Sequence, residues 1–203
     1  MKLVYGVGVN DSKSPTQKTT SNPELKGKRI VLWRCPFYRT WHSMLERCYS
    51  YKYQEKYPSY IGCHVCEEWL TFSNFKDWME KQDYRDKQLD KDLLVRGNKL
   101  YSPETCLFID MALNKFLTDS LGSRGEHPIG VSFNVENQKF RAYVQNPFTS
   151  KKEHLGYYAC PNEAHRAWRA RKLEIAVQIA SFQQDERVSV ALSKRYEELE
   201  DIL

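Results

Sequence analysis

Apolar residues recur every three or four positions in four stretches of this chain, the spacing of one face of an α-helix. The first stretch opens at Pro36 and carries Phe37, Trp41, Met44, Leu45 and Cys48. A shorter stretch follows Ser73, the predicted N-cap, and carries Phe75, Trp78 and Met79. The third opens at Pro161 and carries Ala164, Ala167, Trp168, Ile175 and Ile179. The last carries Val188, Leu192, Tyr196 and Leu199, which predicts a terminal helix within 183–203.

A different pattern, strict alternation, occupies the region before the third helix. Phe140, Ala142 and Val144 alternate with Arg141, Tyr143 and Gln145. Such alternation is typical of a strand with one apolar and one polar face. Together with the flanking polar turns it predicts strands at 130–133, 139–145 and 151–158. A three-stranded antiparallel sheet covered by one helix makes a compact unit, so the predicted fold class is α+β.

A third region combines acidic residues with turn residues. The run from Leu89 to Leu94 reads as an acidic strand, Gly97-Asn98 as a tight turn, and Ser102-Pro103 as the start of a short helical turn. This order places Asp90 and Asp92 at a strand end facing a helix N-terminus, where they could hold a divalent metal near a phosphate. The same spacing equally suits a hairpin whose carboxylates are solvated.

Charge is unevenly distributed along the chain, although the net charge is only +5. Residues 1–60 hold 11 lysines and arginines against 4 acids, whereas the residues after Phe182 hold 3 against 6. This distribution favours an anionic partner contacted by the body of the protein. No apolar run approaches membrane-spanning length and Met1–Val9 does not resemble a secretory signal, so we expect a cytoplasmic protein without a membrane partner.

The six cysteines are expected to be reduced thiols. Cys63-x-x-Cys66 is a single close pair, whereas structural zinc sites usually present two, so zinc is not expected. Cysteines 48, 66 and 106 lie among apolar residues and suit a protein core.

The acidic region and the first helices resemble the ββα-metal core of HNH endonucleases. The matching segments are Leu89-Asp90-Lys91-Asp92, Tyr101-Ser102-Pro103-Glu104-Thr105-Cys106, Trp41-x-x-Met44-x-x-Arg47-Cys48-Tyr49, Tyr60-x-Gly62, Val65-Cys66-x-x-Trp69 and Phe72-x-x-Phe75. The resemblance implies a nuclease domain at 35–118 that uses magnesium or manganese, with Asp90 as metal ligand.

The resemblance also implies roles for the neighbours of Asp90. Lys91 stands where the family has its general-base histidine, and Thr105 stands where it has a metal-binding asparagine. Asp92 or Asn98 would complete or orient the site. A lysine ammonium is protonated at neutral pH and cannot take a proton from water, so Lys91 would instead stabilise the scissile phosphate. A catalytically inactive descendant of such a nuclease is therefore the alternative interpretation.

The alternating region resembles the APETALA-type (ethylene-response-factor) DNA-binding domain. The matching residues are Gly130-Val131-x-Phe133, Lys139-Phe140-x-Ala142, Leu155-Gly156-x-Tyr158 and Glu163-Ala164-x-x-Ala167-Trp168. The resemblance implies that the open face of the sheet enters the DNA major groove. The residues that would face DNA are Ser132, Asn134, Arg141, Tyr143, Gln145, Lys152 and His154, with Arg141 the expected contact to a guanine edge.

These patterns divide the chain into five predicted segments: a basic irregular segment 1–34, the HNH-like domain 35–118, a linker 119–129, the APETALA-type domain 130–182 and an acidic helix 183–203. The two resemblances together predict a phage or mobile-element protein of the HNH homing-endonuclease type that binds double-stranded DNA. If active, it would nick or cut DNA with a divalent metal. The alternatives are an inactive DNA-binding regulator or inhibitor, and a module that binds a host protein.

Overall fold

The structure, a computed structural model, describes residues 2–22, 28–118 and 125–197. The chain divides after Ile109 into two compact units. It is a mixed α+β protein with a three-stranded antiparallel sheet in its second unit, which confirms the predicted class in that coarse form. Within the described residues, no helix combines the length and apolar composition of a membrane span.

The first unit contains short strands and helices arranged around an aromatic core. Its strands are β1 Gln17–Asn22, β2 Lys28–Arg34, β3 His64–Val65, β4 Lys87–Asp90, β5 Leu100–Tyr101 and β6 Leu107–Asp110, the last of which ends at the boundary. Its helices are α1 Pro36–Tyr49, α2 Tyr51–Lys56 and α3 Phe72–Met79, with 3₁₀ turns at Pro58–Tyr60 and Glu67–Leu70.

Helix α1 confirms the prediction made from its apolar spacing. It opens at Pro36, whose fixed φ suits the first helical position, and it buries Trp41, Met44, Leu45 and Cys48. The indole Nε1 of Trp41 donates to the carbonyl of Trp69 at 2.7 Å. This bond satisfies the one polar atom of a fully buried ring, so the aromatic core carries no orphaned donor there.

Helix α3 begins two residues earlier than predicted. Its N-cap residue is Thr71 rather than Ser73, and Ser73 lies within the first turn. The Ser73 amide donates to Oδ1 of Asp11 at 3.0 Å, and its hydroxyl donates to Oδ2 at 2.6 Å. The cap is thus supplied by a carboxylate 62 residues upstream, which the local sequence could not reveal.

The basic N-terminal segment is not wholly irregular, in contrast to the expectation. β1 pairs with β2 as an antiparallel two-stranded sheet. β1 was missed because QKTTSN has no apolar alternation. Its threonines nevertheless suit extended backbone.

The second unit contains α4 Met111–Leu117, β7 Val131–Asn134, β8 Lys139–Gln145, β9 Lys152–Tyr158, α5 Pro161–Ala180 and α6 Glu186–Glu197. The three strands form one sheet in the order β7-β8-β9, as predicted. Ala142 and Val144 are buried under α5, whose own buried residues include Trp168 and Ile175. Helix α6 buries Val188, Leu192 and Tyr196, while position 199 lies outside the described residues.

Helix α4 packs with the last two helices. Asp110 caps it by accepting from the amide of Leu113 at 2.7 Å. The ammonium of Lys172 on α5 donates to the carbonyl of Phe116 at 2.5 Å and lies 3.5 Å from the centre of that ring. The sequence had placed this helix in the 35–118 segment, whereas the structure groups it with the second unit. Residues 119–124 of the predicted linker lie outside the described residues.

Candidate nucleic-acid interface and acidic loop

The acidic loop of the first unit connects two strands that do not pair with each other. β4 pairs with β6, and β5 pairs in parallel with β3. The predicted tight turn is present: Gly97 has a φ of +71°, and the amide of Asn98 donates to the carbonyl of Val95 at 3.1 Å. The hairpin of the alternative interpretation is not formed, because β4 and β5 each pair with another strand of the unit.

Asp90 directs its carboxylate at the backbone of its own loop. Its Oδ1 accepts from the amide of Asp92 at 3.0 Å and from the amide of Leu93 at 2.7 Å. Burial raises the pKa of Asp90 from its ordinary value, although both amides favour the charged form. Asp90 therefore shapes the turn after β4, as side chains of this type do in Asx turns.

Lys91 is buried, with only 5% of its surface exposed. Its ammonium donates to Oδ1 of Asp92 at 2.7 Å and to the carbonyl of Asn98 at 2.6 Å. Lys91 thus joins the two ends of the loop, and its protons are directed at oxygen acceptors of the loop itself. A nucleophilic water would need an acceptor at this place, which an ammonium does not supply.

Asn98 and Thr105 are held by the same loop. The amide Nδ2 of Asn98 donates to the carbonyls of Lys91 at 2.9 Å and Leu100 at 2.6 Å, while its Oδ1 accepts from the amide of Leu100 at 3.0 Å. The hydroxyl of Thr105 donates to the carbonyl of Leu100 at 2.8 Å. Both side chains therefore fix loop backbone at positions where the family resemblance implied metal ligands.

The segment after β5 forms one turn and does not continue as a helix. The amides of Thr105 and Cys106 both donate to the carbonyl of Ser102, at 3.3 and 3.0 Å. A hydrogen bond with Ser102 lowers the pKa of Glu104. The predicted helical turn is thus present as a turn, but no helix N-terminus faces Asp90 and Asp92 from this segment.

The residues of the acidic loop, as placed, do not fit a divalent metal ion. Such an ion needs several oxygen ligands directed at one point. Within the described residues, no group of three or more His, Cys, Asp or Glu side chains is arranged to hold one. Oδ1 of Asp90 accepts two backbone amides, and Oδ1 of Asp92 accepts the Lys91 ammonium, so each carboxylate already serves the loop. The expectation of magnesium or manganese stays a prediction.

Three cysteines lie close together in the core of the first unit. Cys48, Cys63 and Cys106 are buried free thiols. Burial raises the pKa of Cys48 to about 12 and that of Cys106 to about 12, and it also raises the pKa of Cys63. Metal binding requires thiolates, so these groups are held in the protonated form that suits an apolar core.

The open face of the sheet in the second unit gathers most of the residues predicted to contact DNA. The register places Ser132 opposite Arg141, His154 opposite Tyr143, and Lys152 opposite Gln145. These pairs lie on the face turned away from α5, since the intervening Ala142 and Val144 are buried against the helix side.

Cations and rings alternate on this open face. The guanidinium carbon of Arg141 lies 5.5 Å from the ring centre of Tyr143, and the ammonium of Lys152 lies 4.4 Å from it. The His154 ring is 5.0 Å from the same tyrosine. Ser132 accepts from Nε of Arg141 at 2.9 Å. The electron-rich tyrosine face thus holds two cations near each other, and the serine fixes the direction of one of them.

The three strands contain a single acidic residue, Glu153, and its side chain lies on the face of the sheet that packs against α5. Glu153 accepts from Nε of Arg171 on α5 at 2.8 Å and from the side-chain Nδ2 of Asn146 at 2.6 Å. The hydrogen bond from Arg171 lowers the pKa of Glu153, which keeps the carboxylate charged on the helix side. The open face therefore carries cations without a strand carboxylate to neutralise them.

Asn134, which was predicted to contact DNA, instead stabilises a turn of the sheet. Asn134 is buried, and its Oδ1 accepts from the amide of Asn137 at 2.8 Å in the turn between β7 and β8. Its side chain is committed to this turn, whereas the other six predicted residues lie on the open face.

Two residues of the open face were missed by the sequence reasoning. Lys139 belongs to the face by alternation, and Tyr157 stands opposite Arg141 because Leu155 is an extra, unpaired residue in β9. Tyr157 lies 4.7 Å from the His154 ring. Gly156, with a φ of +127°, was the available signal, since a glycine inside a strand often marks a bulge.

Comparison with known proteins gave no matching family model, no similar curated protein and no similar solved structure.

Proposed function

We propose that this protein binds duplex DNA through the open face of the sheet in its second unit. The observation that carries the proposal is the cluster of Arg141, Tyr143, Lys152 and His154 on one exposed face without a strand carboxylate. Protein–DNA interfaces combine phosphate contacts from basic side chains with base contacts in a groove. Arg141 has the forked guanidinium that pairs with O6 and N7 of guanine.

The second part of the proposal concerns the first unit and rests on its resemblance to HNH homing endonucleases. We take the first unit as an HNH-like domain whose acidic loop is structural, which makes the protein a non-cutting DNA-binding regulator or inhibitor. Support comes from Lys91, whose ammonium binds the loop at the general-base position, and from Asp90, which accepts two backbone amides. A phage or mobile-element origin rests on the resemblance alone.

Binding to labelled duplex DNA tests the first part of the proposal. Arg141→Ala is expected to weaken binding to a preferred duplex roughly tenfold, since a bidentate base contact contributes about 1–3 kcal/mol of discrimination. Arg141→Lys should recover the charge but not the preference. Arg166→Ala, which removes an exposed arginine of α5, is the matched control and should bind normally. Equal affinities for all four proteins would contradict the proposal.

Plasmid nicking with magnesium or manganese tests the second part. The wild type is expected to leave supercoiled plasmid intact at concentrations that bind it fully. Nicking by the wild type that disappears in Asp90→Ala, with DNA binding and circular dichroism retained, would instead establish the endonuclease and make Asp90 its metal ligand. If that variant does not fold, Asp92→Asn provides the same comparison.

Salt dependence separates DNA from an acidic host protein as the partner. A protein that neutralises about six phosphates loses roughly three decades of affinity between about 50 and 200 mM salt. A flat response of DNA binding over this range would exclude the DNA backbone as the ligand and favour the protein-binding alternative.

A further inference from the structure

The two-stranded ribbon formed by β1 and β2 is exposed on both faces. Every residue of 29–34 is exposed, including four apolar side chains in succession. Their exposed fractions are 37% for Ile30, 44% for Val31, 68% for Leu32 and 45% for Trp33. Successive residues of a strand point to opposite faces, so this strand exposes apolar side chains on both faces of the ribbon. Exposed apolar surface of this extent is typical of an interaction site.

The ribbon is attached directly to the core of its unit. The amide of Cys35 donates to the carbonyl of Thr16 at 2.9 Å, which closes the base of the ribbon. Pro36 then opens α1, whose Trp41 is fully buried. The ribbon therefore projects from an anchored helix rather than from a flexible linker.

A bulge directs one apolar side chain outward. Lys18 pairs with Trp33 and Thr19 with Val31, so Leu32 is an extra residue without a cross-strand partner. A bulge increases the local twist and re-aims the side chain at that position. Leu32 is accordingly the most exposed of the four apolar residues.

The surroundings of this patch are cationic. Between Ser12 and Leu45 the sequence has a single acid, Glu24, and its basic residues are Lys13, Lys18, Lys26, Lys28, Arg29, Arg34 and Arg39. Arg34 also lies 3.4 Å from the Gln17 side chain across the ribbon. In β2 the four apolar residues thus stand between Arg29 and Arg34, while β1 opposite them carries Lys18 together with hydroxyl and amide groups.

We propose that this ribbon is a second duplex-DNA contact, which lies in a groove with Leu32 and Trp33 against base steps and Arg29 and Arg34 on phosphates. A two-stranded β-ribbon fits a DNA groove, and apolar side chains can wedge between base steps. Serine, threonine and glutamine side chains are ordinary phosphate ligands, which gives the polar strand β1 a use in the same complex.

Duplex DNA fits these features better than the other apolar partners. Two copies of the ribbon placed edge to edge would bring Lys18, Arg29 and Arg34 of one chain close to those of the other, which like charges oppose. A lipid surface would desolvate the row of polar side chains on β1, which is costly without hydrogen-bond partners. A polyanion with stacked apolar bases satisfies both the charge and the apolar patch.

Titration of the full chain with a fluorescein-labelled duplex tests this inference, which rests on the proposed function. The double variant Leu32→Gln with Trp33→Gln is expected to bind at least tenfold more weakly, because it loses the apolar contacts of two side chains, and a tenfold change corresponds to about 1.4 kcal/mol of binding free energy. Tyr51→Gln with Ile61→Gln, two exposed apolar residues of the same unit, is the matched control and should bind as the wild type does.

A charge variant gives an independent measurement. Arg29→Gln with Arg34→Gln is expected to flatten the dependence of log affinity on log salt by about 0.9 for each phosphate that the protein no longer neutralises. DNA is also expected to change the tryptophan emission of the wild type, and this change should be absent in Trp33→Phe.

The outcomes separate the two proposals. If the wild type binds duplex and Arg141→Ala weakens it while both ribbon variants bind normally, the sheet proposal stands and the ribbon inference is overturned. If the wild type does not bind duplex, both fail. Two other results, each with unchanged DNA affinity of the ribbon variants, would also overturn the inference. Loss of a dimer on size-exclusion chromatography would favour a second copy of the chain as the partner, and loss of binding to phosphatidylserine vesicles would favour a membrane.

Discussion

Replacement of Lys91 by methionine removes the ammonium from the acidic loop and keeps a side chain of similar length. The ammonium makes two contacts, with Oδ1 of Asp92 at 2.7 Å and with the carbonyl of Asn98 at 2.6 Å. The side chain of Lys91 is only 6% exposed, whereas that of Asp92 is 45% exposed. The two contacts therefore do not contribute equally.

The ion pair with the half-exposed Asp92 contributes about 0–1 kcal/mol, because water screens it. Loss of the donor to Asn98 leaves a carbonyl unsatisfied in the loop interior, at a cost of about 1–3 kcal/mol. Removal of a buried charge returns part of its desolvation cost. The free energy of unfolding of the first unit should therefore fall by about 2 kcal/mol in Lys91→Met.

Urea unfolding followed by tryptophan emission measures this change, since four of the five tryptophans, Trp33, Trp41, Trp69 and Trp78, belong to the first unit. Lys99→Met is the matched control: its ammonium also donates to one carbonyl, that of Ser59, but at an exposed position. The control should lose less than about 0.5 kcal/mol. An unfolding midpoint for Lys91→Met equal to or above that of the wild type would refute the assignment of Lys91 as a structural cation.

Three further outcomes follow from the structure. Gly130→Ala should destabilise the second unit by more than about 2 kcal/mol in urea unfolding, because φ is +80° there and a Cβ would lie 2.0 Å from Cδ1 of Trp168; wild-type stability would contradict this packing. Burial raises the pKa of Asp90, so its stabilising contribution is present at low pH and is lost as the pH rises above 3.8. Thermal unfolding of Asp90→Asn should depend less on pH across that range than unfolding of the wild type, and an identical pH dependence would count against a buried Asp90. Cys48 and Cys106 should react with a thiol reagent at pH 8 only when the protein unfolds, because their pKa values are about 12; their rapid labelling in the native protein would show an open core.

Local sequence patterns were sufficient to predict a helix or strand when the residues that define it are consecutive in the chain. Helix α1 has its starting proline and its buried face within fourteen consecutive residues, so periodicity located it correctly. Strand β8 alternates between the helix and the open face over seven residues, which predicted Arg141, Tyr143 and Gln145 on the open side. Because alternation sets side-chain direction directly, most of the candidate DNA-binding face could be predicted.

The sequence was insufficient where a partner lies far along the chain. Tyr157 reaches the open face because a bulge at Leu155 reverses the alternation of β9, and only pairing with β8 shows this. The start of α3 depends on a carboxylate from Asp11. In each case the decisive hydrogen bond joins residues with no local pattern in common.

The acidic loop shows the limit most clearly. From the sequence, Asp90, Lys91 and Asp92 could be placed at the end of a strand, and the resemblance implied catalytic roles for them. In the folded chain β4 and β5 pair with different strands, which leaves between them a loop whose ends the buried Lys91 ammonium joins. The order of residues sets which charges are near each other along the chain, whereas burial and hydrogen-bond geometry decide which atoms those charges face.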